Sequence, residues 1–169
     1  MLQKMDFTML KPEIFQWFGK QSPLLSAGDK TECNTMTVSW CQMGTLWRRP
    51  TCNVFVRTSR HTHNFTEQHD YFTLSFLPES AKKVVDYCGS ISGRDADKIK
   101  DCGLTVCYGA GDAPYFAEAE LVLVCKKLYA HQMNEDCITD REQILPFYTE
   151  DPDGWHHMYI GQVVEAYSK

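Results

Sequence analysis

Two strand-like segments within residues 34–62 decide the fold: Asn34-Thr-Met-Thr-Val-Ser-Trp40 and Val54-Phe-Val-Arg57. In the first segment, small polar residues alternate with apolar ones, which is the period-two pattern of a half-buried strand. One face of this strand is therefore expected to line something polar. The second segment is rich in β-branched and aromatic residues and is predicted to complete a strand that begins at Thr51.

A dense polar cluster follows the second strand. The six residues Arg57-Thr-Ser-Arg60-His61-Thr62 carry two guanidinium groups and three hydroxyl groups. This combination suits a phosphate better than an apolar partner. The first strand ends in polar and aromatic residues, with Trp40 last. A phosphate at one end of the site and a flat ring at the other predict FMN as the ligand.

Length and composition restrict the class of protein. A chain of 169 residues has room for one ordinary domain, predicted to span 1–169. The net charge of −5 and a pI near 5.6 argue against nucleic acid as a partner, because binding a phosphate backbone needs clustered Lys and Arg. The sequence has no apolar window of about 18 residues and no signal-peptide pattern, so it predicts a cytoplasmic protein without a membrane partner.

The eight cysteines would suggest a disulfide framework in a small secreted chain. Without a secretion signal, reduced thiols are expected instead. None of the spacings is Cys-x-x-Cys, so neither a zinc ribbon nor a thioredoxin-type pair is predicted.

The remaining pattern alternates short strands with short helices. Strands are predicted at 22–26, 71–77, 117–129 and 155–167, and helices at 11–18 (ending at Gly19), 62–68 (capped by Thr62), 79–88 (ended by Gly89) and 95–102, with a capping box from Thr139 to Glu142. A long loop holding Trp47 is expected between the strands at 34–40 and 51–57, which should form a hairpin-like pair. Six or so strands that lack continuous apolar runs favour a mainly β fold with short helices, an antiparallel barrel, over a doubly wound sheet. Gly109-Ala-Gly111 is interpreted as a turn, since the strand-to-helix context of a dinucleotide fingerprint is missing.

Four blocks together resemble the flavin reductase-like FMN-binding split-barrel family, and within it the flavoredoxin-like group. They are the 34–40 strand, the 54–62 segment, Ser92-Gly-Arg-Asp-Ala-Asp-Lys98 and His157-Met-Tyr-Ile-Gly161, and they span nearly the whole chain. The resemblance implies a Greek-key split β-barrel that forms a homodimer, with FMN held at or near the subunit interface.

The resemblance also implies the binding residues. Thr62 and Lys98 match positions that hold the FMN phosphate and nearby flavin oxygens, Asn34 and Trp40 match contacts from the first strand, and His157 matches a further contact. The full expected cofactor-binding set is Asn34, Thr35, Met36, Thr37, Val38, Ser39, Trp40, Arg57, Ser59, Arg60, Thr62, Lys98 and His157. No protein residue is expected to be catalytic, because the flavin carries the chemistry, and no metal ligand belongs to this interpretation.

Two residues depart from the family pattern beside this site. Cys41 stands where a glycine commonly follows the tryptophan, and Thr58 stands where a proline commonly follows the arginine. Cys41 is expected to narrow the space beside the flavin and so to restrict a nicotinamide that stacks there.

The sequence favours an FMN-dependent oxidoreductase that passes electrons from NAD(P)H or a protein donor to a small-molecule or protein acceptor. One alternative is a flavoredoxin-like electron-transfer protein without direct NAD(P)H activity. Another is a cupin-like metal site, because His61, His63 and Glu67 have the His-x-His-x3-Glu spacing, although Phe55 replaces the glycine expected six residues earlier. A third is an interaction protein that has kept the barrel and lost the flavin.

Overall fold

The computed structural model describes residues 1–11, 13–149 and 154–169, and most of their strands join one antiparallel sheet. The strands are β1 (Gln3–Met5), β2 (Leu24–Gly28), β3 (Cys33–Thr37), β4 (Cys41–Leu46), β5 (Arg49–Arg57), β6 (Tyr71–Phe76), β7 (Val106–Tyr108), β8 (Pro114–Phe116), β9 (Leu121–Gln132) and β10 (His156–Ser168). The eight-stranded sheet has the order β3-β2-β6-β9-β10-β5-β4, and β1 pairs with β10 outside this path. Strands β7 and β8 form a separate pair.

Short helices connect these strands. They are α1 (Ile14–Gln16), which continues as a π-helical turn over Trp17–Gln21, α2 (His61–Gln68), α3 (Lys82–Ser90), α4 (Lys98–Asp101) and α5 (Arg141–Ile144). Short 3₁₀ turns lie at Phe7–Met9, Glu79–Ala81, Ala110–Asp112, Glu135–Cys137 and Leu145–Phe147. None of the helices in the described ranges is both long enough and apolar enough to span a bilayer.

The curled sheet encloses one apolar core and carries a second on its outer side. Leu25, Val54 and Leu74 belong to the inner core, whereas Leu24 and Val122 pack outside beneath α3 and the β7–β8 pair. Neighbouring residues on one strand thus enter different cores, since successive side chains point to opposite faces. Both faces of the central strands are covered, and β3 and β4 lie at the two ends of the strand order, so the barrel is split.

The structure confirms the mainly β antiparallel fold and corrects several predicted elements. The first strand ends at Thr37, before Trp40, and the additional strand β4 follows it. The expected pair between 34–40 and 51–57 is therefore wrong, because β5 pairs with β4 and β10. The expected long loop at Trp47 is a two-residue turn, with Trp47 at φ 51° and Arg48 at φ 57°.

The predicted helix ends differ from the structure more than the central parts of the predicted strands do. Arg60, not Thr62, is the N-cap of α2, and Asp140, not Thr139, caps α5. Gly89 lies inside α3, and α4 is shorter than the predicted helix at 95–102. The long strand begins at Leu121 rather than 117. The entry helix begins later and extends past Gly19, and its Pro12 lies outside the described residues.

Candidate functional site

The end of β5, the start of α2 and the loop between α3 and α4 together enclose the main cavity, which has a volume of about 810 Å³. This volume is in the range of sites that hold a cofactor-sized ligand. The residues that line it are Met36, Arg57, Ser59, Arg60, His61, Thr62, Cys88, Ile91, Ser92, Gly93, Arg94, Asp95, Lys98, Pro146 and Phe147. A second cavity of about 780 Å³ shares His61, Gly93, Arg94, Asp95 and Lys98 and adds Asn34.

Positive charge is concentrated in the main cavity. Four cationic side chains (Arg57, Arg60, Arg94 and Lys98) line it, with Asp95 as its one lining carboxylate among the described residues. The whole chain, by contrast, has a net charge of −5. Because clustered guanidinium groups match the geometry of phosphate oxygens, this distribution predicts an anionic ligand.

Lys98 is the most deeply buried of these cations, with only 4% of its surface exposed. It is the first residue of α4, directly after the N-cap Asp97. Its Nζ donates to the carbonyl oxygen of Cys88 at 3.2 Å. Burial lowers the pKa of Lys98, and the nearby Arg60 lowers it further, whereas the Cys88 thiol opposes this shift. A phosphate beside Nζ would reverse the shift by stabilising the charged form.

Thr62 is fixed by the first strand of the site. The amide Nδ2 of Asn34 donates to Thr62 Oγ1 at 3.2 Å, and both residues are buried. A hydroxyl that accepts one hydrogen bond can still donate another, so Thr62 can donate to an oxygen in the cavity. Gly93 packs directly against this pair, since a Cβ added at Gly93 would lie 2.4 Å from Asn34 Oδ1. The loop backbone can therefore approach the site only because residue 93 has no side chain.

The N-terminus of α2 adds backbone donors to the same cavity. Arg60 is the N-cap residue, and its side chain makes no capping hydrogen bond. The first backbone N–H groups of α2 therefore do not donate to a side chain of the cap residue. His61 also has a buried ring atom, Nδ1, without a hydrogen-bond partner in the structure. Burial and the neighbouring Arg94 lower the pKa of His61. Cationic side chains, a helix N-terminus and an unsatisfied imidazole nitrogen fit the phosphate end of FMN.

An aromatic wall continues the site on the other side of Arg57 and Arg60. These two residues also line a small cavity of about 160 Å³, together with Met36, Thr37, Val38, Ser39, Trp40, Phe55 and His156. The rings of Trp40 and His156 stack with their centroids 4.4 Å apart. Phe147 meets Trp40 edge-on at 5.7 Å. This wall offers flat apolar surface next to the cationic cavity, as an isoalloxazine ring requires.

The structure brings most of the expected binding residues to these three cavities. Met36, Arg57, Ser59, Arg60, Thr62 and Lys98 line the main cavity, Asn34 the second, and Thr37, Val38, Ser39 and Trp40 the small one. Thr35 is an exception, since it is fully buried and its hydroxyl bonds to Ser26 and to the carbonyl oxygen of Leu25. Its side chain holds β2 to β3.

The expected contact from His157 is not supported by the structure. His157 lies with His63 and Glu67, on the side of β10 away from the cavities, and its neighbour His156 lines the small cavity. Successive residues of a strand point to opposite faces, so a shift of one residue in matching the family pattern exchanges the two histidines. The alternation of burial along β10, with His156 buried and His157 half-buried, is visible only in the folded chain.

Sequence reasoning also missed the loop between α3 and α4 as a lining segment. Ser92, Gly93 and Arg94 line the main cavity beside Lys98. They lie in the block that carried the family resemblance, and its Ser-Gly-Arg composition resembles the polar 57–62 cluster. That shared composition is the signal that could have identified them.

The cupin-like metal motif is wrong as a ligand set. His61 and His63 are two residues apart in α2, and such residues lie about 200° apart around a helix. His61 lines the main cavity, whereas His63 contacts His157 on the opposite side of α2.

The two departures from the family pattern have structural explanations. Cys41 packs against the inner core and is not among the residues lining the three cavities. The expectation that it narrows the flavin site is therefore not supported. Burial raises the pKa of the Cys41 thiol, which disfavours a reactive thiolate. Thr58 donates its backbone N–H to the carbonyl oxygen of Trp155 at 3.0 Å, a bond that proline could not make.

Comparisons with known proteins agree with this geometry. Residues 17–169 match the family model described as flavin reductase like domain. The chain therefore belongs to this family. A comparison with curated protein sequences gave no match.

Several solved structures share the fold. A flavoredoxin from Methanosarcina acetivorans is 24% identical with a TM-score of 0.70, over 88% of this chain and 68% of that chain. An FMN-binding protein from Thermus thermophilus, solved with bound p-hydroxybenzaldehyde, is 20% identical with a TM-score of 0.69, over 88% of this chain and 71% of that chain. The NADH:FAD oxidoreductase SgcE6 of Streptomyces globisporus C-1027 is 17% identical with a TM-score of 0.64, over 86% and 74%. These likenesses establish the flavin reductase-like split-barrel fold.

Proposed function

We propose that this chain binds FMN in the main cavity and acts as an oxidoreductase, passing electrons from NAD(P)H or a protein donor to a second acceptor. The observation that carries the proposal is the meeting of four cationic side chains and the α2 N-terminus in one cavity of about 810 Å³, in an otherwise acidic chain of the flavin reductase family.

Each part of the cavity has a role toward the cofactor. Arg60, Arg94 and Lys98 neutralise the phosphate, and Thr62 donates a hydrogen bond to it. Trp40, held against His156 and Phe147, limits the space for the ring system. FMN bound here would supply the redox chemistry by accepting and passing on hydride or electrons. The protein binds and orients the cofactor, which is why no catalytic acid or base is assigned.

Titration with FMN and with riboflavin tests the phosphate assignment. Lys98→Ala and Thr62→Ala should each weaken FMN binding by about 1–3 kcal/mol, roughly 5- to 150-fold, because each removes a hydrogen bond to phosphate. Riboflavin lacks the phosphate, so its affinity should change much less. Flavin fluorescence during titration measures both constants.

Matched variants separate the phosphate role from general disruption. Lys83→Ala removes an exposed cation that lies on the neighbouring helix α3 and lines none of the three cavities, and it should leave FMN affinity within about twofold, since an exposed charge contributes little. Thr62→Ser keeps the hydroxyl and should retain most of the affinity. Equal losses of FMN and riboflavin, or no FMN binding by the unaltered protein, would refute the proposal.

The electron donor divides the proposal into two forms. The Gly109–Gly111 stretch, which resembles a fragment of a dinucleotide fingerprint, forms part of a 3₁₀ turn between β7 and β8. A nicotinamide must then stack transiently on the flavin, or a donor protein must dock instead. Phe147 and Trp40 are 54% and 39% exposed at the site, and this accessible aromatic surface suits either donor.

Anaerobic stopped-flow mixing distinguishes the two forms. The FMN-loaded protein is mixed with NADH, with NADPH and with a reduced low-potential ferredoxin-type protein, and the flavin absorbance is followed. Bleaching by either nucleotide at a catalytically useful rate supports the NAD(P)H-dependent form. Bleaching by the protein donor alone supports the flavoredoxin-like electron carrier and excludes the reductase.

A further inference from the structure

A second polar cluster lies on the face of α2 opposite the main cavity. His63 and Glu67 are four residues apart on α2 and so share one face of the helix, and His157 faces them from β10. His63 Nε2 lies 3.0 Å from His157 Nδ1, which lies 3.3 Å from Glu67 Oε1. Each of the three residues offers one ligand atom, and these three atoms all lie within 4.8 Å of one another.

His157 Nδ1 has more polar neighbours than the one hydrogen bond that it can make. Besides His63 and Glu67, the hydroxyl oxygen of Tyr159 lies 3.3 Å from the same nitrogen. A ring nitrogen carries either one proton or one lone pair, so it makes one good hydrogen bond. Tyr159 already donates its proton to Glu67 Oε1 at 2.5 Å. Lone-pair atoms of His63, Glu67 and Tyr159 therefore converge around His157 Nδ1, which can pair with one of them.

We propose that His63, Glu67 and His157 form a binding site for a divalent transition-metal ion of the zinc class. Two imidazole nitrogens and one carboxylate are a ligand set that zinc takes in proteins, with the fourth position left for water. Two ligand atoms about 2.0–2.1 Å from a tetrahedral ion lie roughly 3.3 Å apart. The observed separations of 3.0 and 3.3 Å are close to this spacing before any ion is bound.

Neighbouring groups orient the carboxylate toward the other two ligands. The Tyr159 hydroxyl donates to Glu67 Oε1 at 2.5 Å, and His157 Nδ1 lies 3.3 Å from the same oxygen. Tyr159 is not itself one of the three ligands, and through this hydrogen bond it orients the carboxylate as an outer partner. The nearby cation Lys127 is engaged elsewhere, since its Nζ donates to the backbone carbonyl oxygen of Glu67 at 2.9 Å and to that of Thr66.

The site is accessible as well as organised. The side chain of Glu67 is 43% exposed, whereas that of His157 is 17% exposed. Solvent can therefore deliver an ion and occupy the open coordination position. A bound ion would join α2 to β10, the two elements that also carry His61 and His156 at the cavities on the other side.

Titration of the purified, chelator-treated full chain with Co²⁺ and with Zn²⁺ tests the proposal. Co²⁺ serves as a spectroscopic probe, because its d–d bands report the ligand number and thiolate ligation adds strong charge-transfer absorption. We expect one equivalent to bind with bands of a low-coordinate nitrogen and oxygen site and without thiolate bands. Zn²⁺ should then displace the Co²⁺ and raise the melting temperature.

Variants of each ligand identify the site. His63→Gln, Glu67→Gln and His157→Gln should each weaken the affinity for Co²⁺ by at least about 100-fold, since loss of even an outer partner costs 10- to 100-fold. Tyr159→Phe should weaken it about tenfold. His69→Gln is the matched control, because His69 lies beyond the end of α2 and contacts Phe65 and Asp29, and it should bind like the unaltered chain.

Circular dichroism of every variant shows whether the fold is retained. We expect the fold to tolerate Glu67→Gln most easily, because the Glu67 side chain is exposed. The proposal is overturned if the folded unaltered chain takes up no Co²⁺. It is equally overturned if thiolate bands dominate, or if folded Glu67→Gln and His157→Gln bind as tightly as His69→Gln.

Discussion

Lys98 places a positive charge where water is nearly excluded, and without an anion this arrangement costs stability. Because burial lowers its pKa, the unfolded chain binds more protons than the folded chain between the lowered folded pKa and the unfolded value of about 10.4. Through this group, stability therefore rises with pH across that window and is lowest below it. Lys98→Met should raise the melting temperature of the FMN-free protein at pH 7 by about 2–4 °C, equivalent to about 1 kcal/mol.

The same substitution should reduce the stabilisation that FMN provides. Its effects on the stability of the FMN-free protein and on FMN binding should therefore have opposite signs. Differential scanning fluorimetry with and without FMN measures both. Lys83→Met, at an exposed position of α3 outside the three cavities, should change neither melting temperature by more than about 1 °C. A lower melting temperature for FMN-free Lys98→Met would show that the bond to Cys88 outweighs the cost of burial.

For single residues, the sequence predicts the chemical type of a binding side chain better than the direction in which that side chain points. Arg57, Arg60 and Thr62 belong to a cluster that was predicted to bind phosphate because its cations and hydroxyls are recognisable by composition, whereas Lys98 was implied by the family resemblance. All four line the main cavity. The side of a strand depends on register, and a shift of one residue moves a side chain to the other face. His157, which the resemblance implied as a flavin contact, lies with His63 and Glu67, and its neighbour His156 lines the small cavity.

The loop between α3 and α4 acts as a unit that closes over Asn34, and Gly93 is the position that permits it. A Cβ at residue 93 would lie 2.4 Å from Asn34 Oδ1 and 2.7 Å from its Nδ2. Gly93→Ala must displace Asn34 and break its bond to Thr62, so it should destabilise the protein by about 1–3 kcal/mol and weaken FMN binding. Urea unfolding and FMN titration measure the two effects.

A double-mutant cycle tests the cause. In an Asn34→Ala background the clash is removed, so Gly93→Ala should then cost less by about 1 kcal/mol or more. Gly44→Ala serves as the control, because a Cβ at Gly44 would meet nothing within 4 Å. If Gly93→Ala lowered the free energy of unfolding equally in both backgrounds, the close contact between residue 93 and Asn34 would be contradicted.

Among whole elements, the strands with strong periodicity were predicted and the edge strand was not. β6 and β10 are confirmed nearly to the residue. β4 was missed because it pairs only with β5 and is mostly exposed, so its sequence Cys-Gln-Met-Gly-Thr-Leu has little apolar alternation. The turn after it was missed because Trp47 and Arg48 occupy positive φ, where Asn and Gly are the usual signal.

In the whole molecule, that unusual turn lies on an exposed apolar surface. A tight two-residue hairpin with two non-glycine residues at positive φ is strained by about 1–3 kcal/mol per residue. Trp47 is nevertheless placed at its tip, 54% exposed, with its ring centroid 6.5 Å from that of Tyr129, which is 43% exposed. Leu46 and Leu128, which precede these two residues in the sequence, are also exposed. An apolar patch held by a strained turn is typical of a surface that another subunit covers.

We therefore predict a homodimer through the surface formed by Leu46, Trp47, Leu128 and Tyr129, with its mass measured by light scattering at micromolar concentration. Trp47→Asn separates the contact from the turn, because asparagine relieves the strain at positive φ and removes the indole. It should shift the mass toward the monomer on dilution while the melting temperature of the monomer stays equal or rises by a few degrees. Lys126→Asn changes an exposed residue on the same strand β9 and should leave the mass unchanged. A monomeric unaltered chain, or a Trp47→Asn variant that dimerises with undiminished affinity, would show that this surface is not the interface and that the strain at residue 47 has another origin.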